Sequence, residues 1–310
     1  MTDDGPEPTA ADRWRASIEA WALPAEIVEA APESPWRHDV QRFAVDDTVD
    51  RDNQSARWAR DVLPPVGGTV LDVGCGGGRS IAPLVPPATE VIGVDRVGAM
   101  LDEFLEAAAR AGVARRTVHG AWPDVLPSTP PADVAICHHV LFDVADVVPF
   151  VVGLTVSARL AVVVEVPIRH PMSAWNEAFE HFWGLRRPTG PEHVDLVAVV
   201  RELGLDPEYA VAARRPLSRF AADPANLVPV ARRRLCLSPD RDAELAAWLA
   251  DHPPAFVDQV ATLRWPGAAD EPFSRSRSRS TRPRDSRPWC RPPPATAGPV
   301  SRPTHRARSC

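Results

Sequence analysis

The stretch Thr69 to Asp95, TVLDVGCGGGRSIAPLVPPATEVIGVD, constrains the fold of this chain more than any other. Thr69-Val70-Leu71-Asp72-Val73 is a short β-branched run of the kind that forms a buried strand in a parallel sheet. Gly74, Gly76, Gly77 and Gly78 follow at once, and a loop of this composition lets backbone approach a ligand with no Cβ in the way. Arg79-Ser80-Ile81-Ala82 predicts the start of a helix, whose first N–H groups lack intrahelical partners and face whatever lies over the loop. A second apolar run, Val91-Ile92-Gly93-Val94, ends at Asp95. An acid at the tip of the second strand, about 20 residues past the glycines, is placed to take two ribose hydroxyls. Strand, glycine loop, helix, strand and acid together predict an α/β fold with a nucleoside cofactor.

Glycine spacing narrows the cofactor. A dinucleotide site asks for G-x-G-x-x-G, but the third glycine would fall at Arg79. The glycines run instead as G-x-G-x-G at Gly74, Gly76 and Gly78, with Asp72 two residues ahead. This resembles the first motif of class I S-adenosylmethionine-dependent methyltransferases, and Val94-Asp95 resembles their second. His138-His139-Val140-Leu141, which lacks the Asn/Asp-Pro-Pro-aromatic signature of amino-methylating enzymes, resembles the small-molecule (type 11/25-like) branch. The resemblance covers roughly Leu63 to Gly267. It implies a Rossmann-like seven-stranded sheet with helices on both faces and S-adenosylmethionine as cofactor. The cofactor would lie against Asp72, Gly74, Cys75, Gly76, Gly78, Asp95, Arg96, Ala121, Trp122 and Cys137. Where many members of the family carry an acid beside the alanine of the third strand's end, this chain has Trp122, read as an adenine clamp by stacking.

Composition removes other classes. All 35 basic residues are arginine and none is lysine, so a phosphate loop with its lysine and a Schiff-base enzyme are both excluded. Five cysteines without a C-x-x-C pair argue against a disulfide framework or zinc ribbon and for a reducing, cytoplasmic setting. MTDDGPEP is acidic and proline-rich, unlike a signal peptide, and no apolar run approaches the ~18 residues that span a bilayer. His138 and His139 are adjacent at a strand end and so point apart, which makes them poor metal ligands.

Along the chain, residues 1–62 read as a helical cap: helices over Ala11–Ala31 interrupted at Pro24, then one from Thr48 to Leu63. Residues 63–273 are the expected catalytic domain. Its later elements are a helix at Val97–Ala111, strands at Arg115–His119, Ala132–Cys137 and Leu160–Val166, and a helix at Asp143–Leu154. An aromatic helix at Ser173–Leu185 lies where the family often builds a substrate wall, with plain core packing the alternative, and the final strands fall at Glu208–Ala213 and Asp258–Trp265. Residues 274–310 carry ten arginines and one acid, which leaves −15 on the remainder of a chain whose net charge is −6. This Ser/Arg/Pro-rich tail cannot bury enough surface to fold. It reads as a disordered extension or a reading-frame slip, or else as an RNA-steering arm. The acidic body should not attract nucleic acid by its general field, and the resemblance to the small-molecule branch implies a small-molecule acceptor.

Methyl transfer from a sulfonium is an in-line displacement in which alignment does most of the work. A general base matters when the acceptor must lose a proton. His138 and Glu165, at the ends of neighbouring strands, are the leading candidates, with His139 and His170 behind them.

Overall fold

The structure, a computed structural model, describes residues 7–37, 40, 43–213 and 224–270. The arginine-rich tail lies outside the described residues. The apolar runs form seven strands: β1 (Thr69–Val73), β2 (Glu90–Asp95), β3 (Ala114–His119), β4 (Ala132–His138), β5 (Ala158–Pro167), β6 (Glu208–Ala213) and β7 (Gln259–Pro266). They make one sheet in the order β3-β2-β1-β4-β5-β7-β6, parallel except for β7, which runs antiparallel to both neighbours. The strand order reverses between β1 and β4, so the carboxyl ends of these two strands border the crevice where α/β sheets bind ligands.

Side chains alternate across a strand, and the two sheet faces bury different partners. Leu71, Val73, Ala135, Cys137, Val162 and Val164 pack with α1 (Ala10–Glu19), α5 (Val147–Ser157) and α7 (His193–Glu202). Val70, Val91, Val134, Ile136 and Val163 pack with α3 (Gln54–Val62) and α4 (Gly98–Arg110). A third cluster joins Trp21, Leu23 and Ile27 of the N-terminal segment and α2 (Ala25–Ala30) to α6 (Asn176–Trp183), α8 (Pro224–Arg234) and α9 (Asp242–Asp251).

The N-terminal helices are pinned at specific points. Thr9 caps α1 through a reciprocal bond with Asp12, and the Ala10 N–H donates to the Glu202 carboxylate at 2.8 and 2.7 Å. Trp14, fully buried, stacks on Phe142 with centroids 5.6 Å apart and donates its indole N–H to the Val144 carbonyl at 2.8 Å. Trp21 donates to the Gly190 carbonyl at 2.6 Å and stacks on His170 at 4.0 Å.

Three helix expectations need correction. No α-helix follows the glycine loop: Ala82–Leu84 forms one 3-10 turn. Pro83, Pro86 and Pro87 withhold the donors that a continuing helix would need. The helix expected from Thr48 begins at Gln54, capped by Asn53 accepting from Ala56 N–H, and the one expected from Asp143 begins at Val147 after a 3-10 turn at Leu141–Asp143. Among the described residues no helix is long and apolar enough to cross a membrane.

Candidate active site

The glycine loop leaves β1 with Gly74, Gly76 and Gly78 at φ +73°, +49° and +85°, a left-handed region that side chains other than glycine rarely adopt. Gly74 and Cys75 both donate to the Val94 carbonyl, at 2.8 and 3.1 Å, which ties the loop to the end of β2. A Cβ on Gly74 would lie 2.3 Å from Val140 Cγ2, and one on Gly77 would lie 2.5 Å from the Phe43 carbonyl oxygen. Two of the glycines are thus required by the protein's own packing. Cys75 is a buried filler against Gly93.

A strap from the N-terminal region crosses this loop. Ala44 forms an antiparallel bridge with Gly78. Arg79 donates to the Ala44 carbonyl at 2.9 Å, Asp46 Oδ1 at 2.9 Å and Thr48 Oγ1 at 2.8 Å. The residue that spoils a dinucleotide motif is therefore the latch of the strap.

Alternation along the strands sets Asp72, Asp95, His138 and Glu165 on one face of the sheet, the face covered by α3 and α4. Asp95 Oδ2 accepts the Gly76 N–H at 3.0 Å and Oδ1 accepts that of Val97 at 2.9 Å. Asp72 is 1% exposed and neither carboxylate oxygen has a hydrogen-bond partner. Burial, and then the charge of Asp95, push its carboxyl well above the ordinary range. An orphaned buried carboxylate beside a glycine loop suits a cationic group brought by a ligand.

The catalytic candidates are arranged differently from the expectation. His138 and Glu165 are register partners on β4 and β5, but His138 Nε2 lies 2.5 Å from Ser55 Oγ on α3. Glu165 instead meets the next residue: His139 Nε2 stands 3.0 Å from Glu165 Oε1, and the His139 N–H donates to the Glu165 carbonyl at 2.8 Å. His139 reaches this position with φ +60°. Nothing in residue spacing announces a positive φ at a histidine. His170 is buried, accepts the Met172 N–H on Nδ1 at 3.2 Å, and is driven down to about 3 by burial. It stays neutral, held in the aromatic cluster with Trp21 and Phe142.

Other expected site residues separate. Arg96 and Ala121 are exposed at the ends of β2 and β3. The Cys137 side chain is fully buried in the opposite face, where burial raises its thiol; only its backbone is left to meet a ligand. Trp122 donates to the Phe150 carbonyl at 3.2 Å and its ring covers Gly153 of α5, so the indole has a packing duty. Trp175, Phe179 and Phe182 of the aromatic segment are buried in the third core cluster, the core-packing alternative.

The sheet order, glycine loop and switch point are those of the Rossmann-like methyltransferase fold. Residues 70–152 match the family model of a methyltransferase domain. No curated protein matches the chain. Similar solved structures include a methyltransferase from Geobacter sulfurreducens in complex with S-adenosyl-L-homocysteine, at 18% identity over 71% of this chain and 94% of that one, TM-score 0.48. Magnesium protoporphyrin IX methyltransferase from Synechocystis with bound SAH is 14% identical over 74% of this chain and 92% of that one, TM-score 0.46. A cyclopropane-fatty-acyl-phospholipid synthase-like protein from Lactobacillus casei is 16% identical over 82% of this chain and 98% of that one, TM-score 0.48.

Proposed function

We propose that the chain binds S-adenosylmethionine between the glycine loop and Asp95 and transfers its methyl group to a small-molecule acceptor. The observation that carries this reading is Asp72: a carboxylate buried with both oxygens unpartnered, on the same face as Asp95 and directly before the loop. The cofactor's cationic amino acid part would answer that carboxylate, and Asp95, at the tip of β2, would take the ribose hydroxyls. Gly76, Gly78, Cys75, Arg96 and Ala121 would contribute backbone around it, with the Trp122 edge and the Cys137 backbone beside the adenine. When bound, the cofactor supplies a methyl group already activated on a sulfonium. The chain's task is to align an acceptor with it and exclude water. On the acceptor side lie Glu165 and the histidines His138 and His139. In this reading residues 1–62 are the cap, with the strap and α3 closing the cofactor side, and 63–273 are the catalytic domain.

Calorimetric titration tests it. Binding of S-adenosylmethionine and its demethylated product, with no binding of NAD, is the expected result; NAD binding without S-adenosylmethionine binding would overturn it.

A further inference from the structure

We propose that Arg233 anchors an anionic group of the acceptor, a carboxylate or a phosphate, so that the small molecule methylated here is an acid. This rests on the methyl-transfer reading and goes beyond it by naming the acceptor's chemical class.

Arg233 stands in the last turn of α8 and is only 9% exposed. Among the described residues its guanidinium makes no ion pair and no hydrogen bond, and Nε is sealed from solvent without a partner. Its neighbours in the same turn are both engaged. Arg232 pairs with Asp242 at 2.6 Å, and Arg234 donates to the Pro35 carbonyl at 2.7 Å. Partly buried arginines elsewhere are engaged as well: Arg79 with Asp46 at 2.9 Å, Arg264 with Glu208 at 2.6 Å, and Arg187 with the Ala22 carbonyl at 2.9 Å. Acids outnumber bases in this chain, 41 to 35, so an arginine left without a carboxylate does not reflect a shortage of them. A buried charge without a partner is strongly destabilising. An ordered water would satisfy Nε but leave the charge unpaired; an anion brought by a ligand answers both.

The turn lies at the edge where the cofactor crevice opens. α8 and α9 are inserted between β6 and β7, and Trp183 holds the end of α8 by donating to the Leu235 carbonyl at 2.7 Å. Ala231 and Leu235 pack in the cluster that contains Trp21, whose ring stacks on His170 just past the carboxyl end of β5. The charges of Arg96 and Arg234 both reach the Asp143 carboxyl, in the turn after β4. The last turn of α8 is thus held at the same edge as His138, His139 and Glu165. Of the three guanidinium nitrogens of Arg233 only Nε is sealed, which leaves the two Nη atoms as the face offered to a ligand. A guanidinium presents its N–H groups as a planar fork that matches a carboxylate or phosphate with two parallel bonds. Such an anchor fixes one end of the acceptor without touching the reacting atoms, and adds affinity equally before and during methyl transfer. The net negative charge of the chain repels small anions at long range, so their capture needs a local cation of this kind.

The test uses the full chain and two readouts. In the first, melting is followed at constant ionic strength as chloride is replaced by inorganic phosphate or by succinate. Saturable stabilisation of wild type is expected, because a ligand that binds only the folded state raises its stability. It should vanish in Arg233→Gln and Arg233→Met and persist in Arg115→Gln, a change at an exposed arginine of β3. In chloride alone, Arg233→Met should melt at or above wild type, since it keeps an aliphatic stem and removes an unpaired charge. A lower melting temperature in that variant would reveal a structural partner for the arginine and overturn the proposal. Stabilisation that survives both Arg233 substitutions, or that wild type lacks, overturns it too. In the second, methyl-labelled S-adenosylmethionine is offered with hydroxy and amino acids, each against its methyl ester, and with sugar phosphates, each against the free sugar. Wild type should favour the anionic member of at least one pair by about tenfold or more in kcat/KM, the usual worth of hydrogen bonds to a charged group. Which set responds tells carboxylate from phosphate. Arg233→Gln should remove the preference through KM, with kcat for the acid within about threefold, as for a contact made equally in ground and transition states. A panel in which no anionic member outruns its neutral partner overturns the inference. Loss of S-adenosylmethionine binding in wild type would instead sink the methyl-transfer reading itself, and calorimetry tells the two failures apart.

Discussion

Asp95 Oδ2 and the Gly76 N–H are 3.0 Å apart, so the acid at the tip of β2 also braces the middle of the glycine loop. Asp95→Ala removes this brace together with the proposed ribose contacts. Cofactor affinity should fall by about 1.5–3 kcal/mol, the usual worth of hydrogen bonds to a charged group. Calorimetry checks the affinity and thermal melting checks the loop; a melting change with unaltered affinity would show that the acid serves the loop alone.

Gly74 is a steric requirement. Gly74→Ala meets Val140 Cγ2 at 2.3 Å with φ at +73°, so conformational strain and overpacking add. The expected loss of stability is about 2–4 kcal/mol, measured by denaturant unfolding. The double variant with Val140→Ala should recover only the overpacking part. Full recovery would mean that the backbone tolerates alanine there.

Asp72 makes cofactor binding a proton-linked event. Its folded carboxyl is raised by burial and by Asp95. As pH rises from about 4 toward that raised value, the folded state without ligand holds a proton that the unfolded chain has lost, and stability declines. A cation beside Asp72 lowers the same carboxyl and expels the proton. Titration of S-adenosylmethionine in buffers of different ionisation enthalpy should therefore show proton release, absent in Asp72→Asn. Identical heats in all buffers would refute this.

His170 sets an acid limit. Its folded value is lowered to about 3, so below its ordinary 6.5 the unfolded chain binds a proton that the folded chain refuses. Stability is complete above 6.5 and is lost as pH falls toward 3, by about 2 kcal/mol between pH 6.5 and 5. Urea unfolding at pH 7 and 5 measures it, and His170→Gln should flatten the difference.

The sheet was legible because its central strands β1, β2, β4 and β5 are apolar, β-branched runs, and β6 spans Glu208–Ala213 as expected. The glycine loop and Asp95 were legible because strand, turn and strand tip are local in sequence. What escaped was non-local or conformational. Arg79 latches Asp46 and Thr48, more than thirty residues upstream. Glu165 pairs with His139 instead of its register partner His138 because of one backbone turn. Trp175 and Phe179 show the same helical spacing whether they wall a cleft or fill a core, and only the structure shows them buried.

The anchoring of the first helix has a consequence for biosynthesis. Trp14 is sealed by Phe142 and Val144, and the α1 N-terminus by Glu202. None of these residues exists when α1 leaves the ribosome. At the usual elongation rate of about 5–20 residues per second, Glu202 follows Trp14 by about 10–40 s. α1 thus waits for residues made long after it, and for that interval an amphipathic helix with its tryptophan is exposed to holdase chaperones and to neighbouring nascent chains.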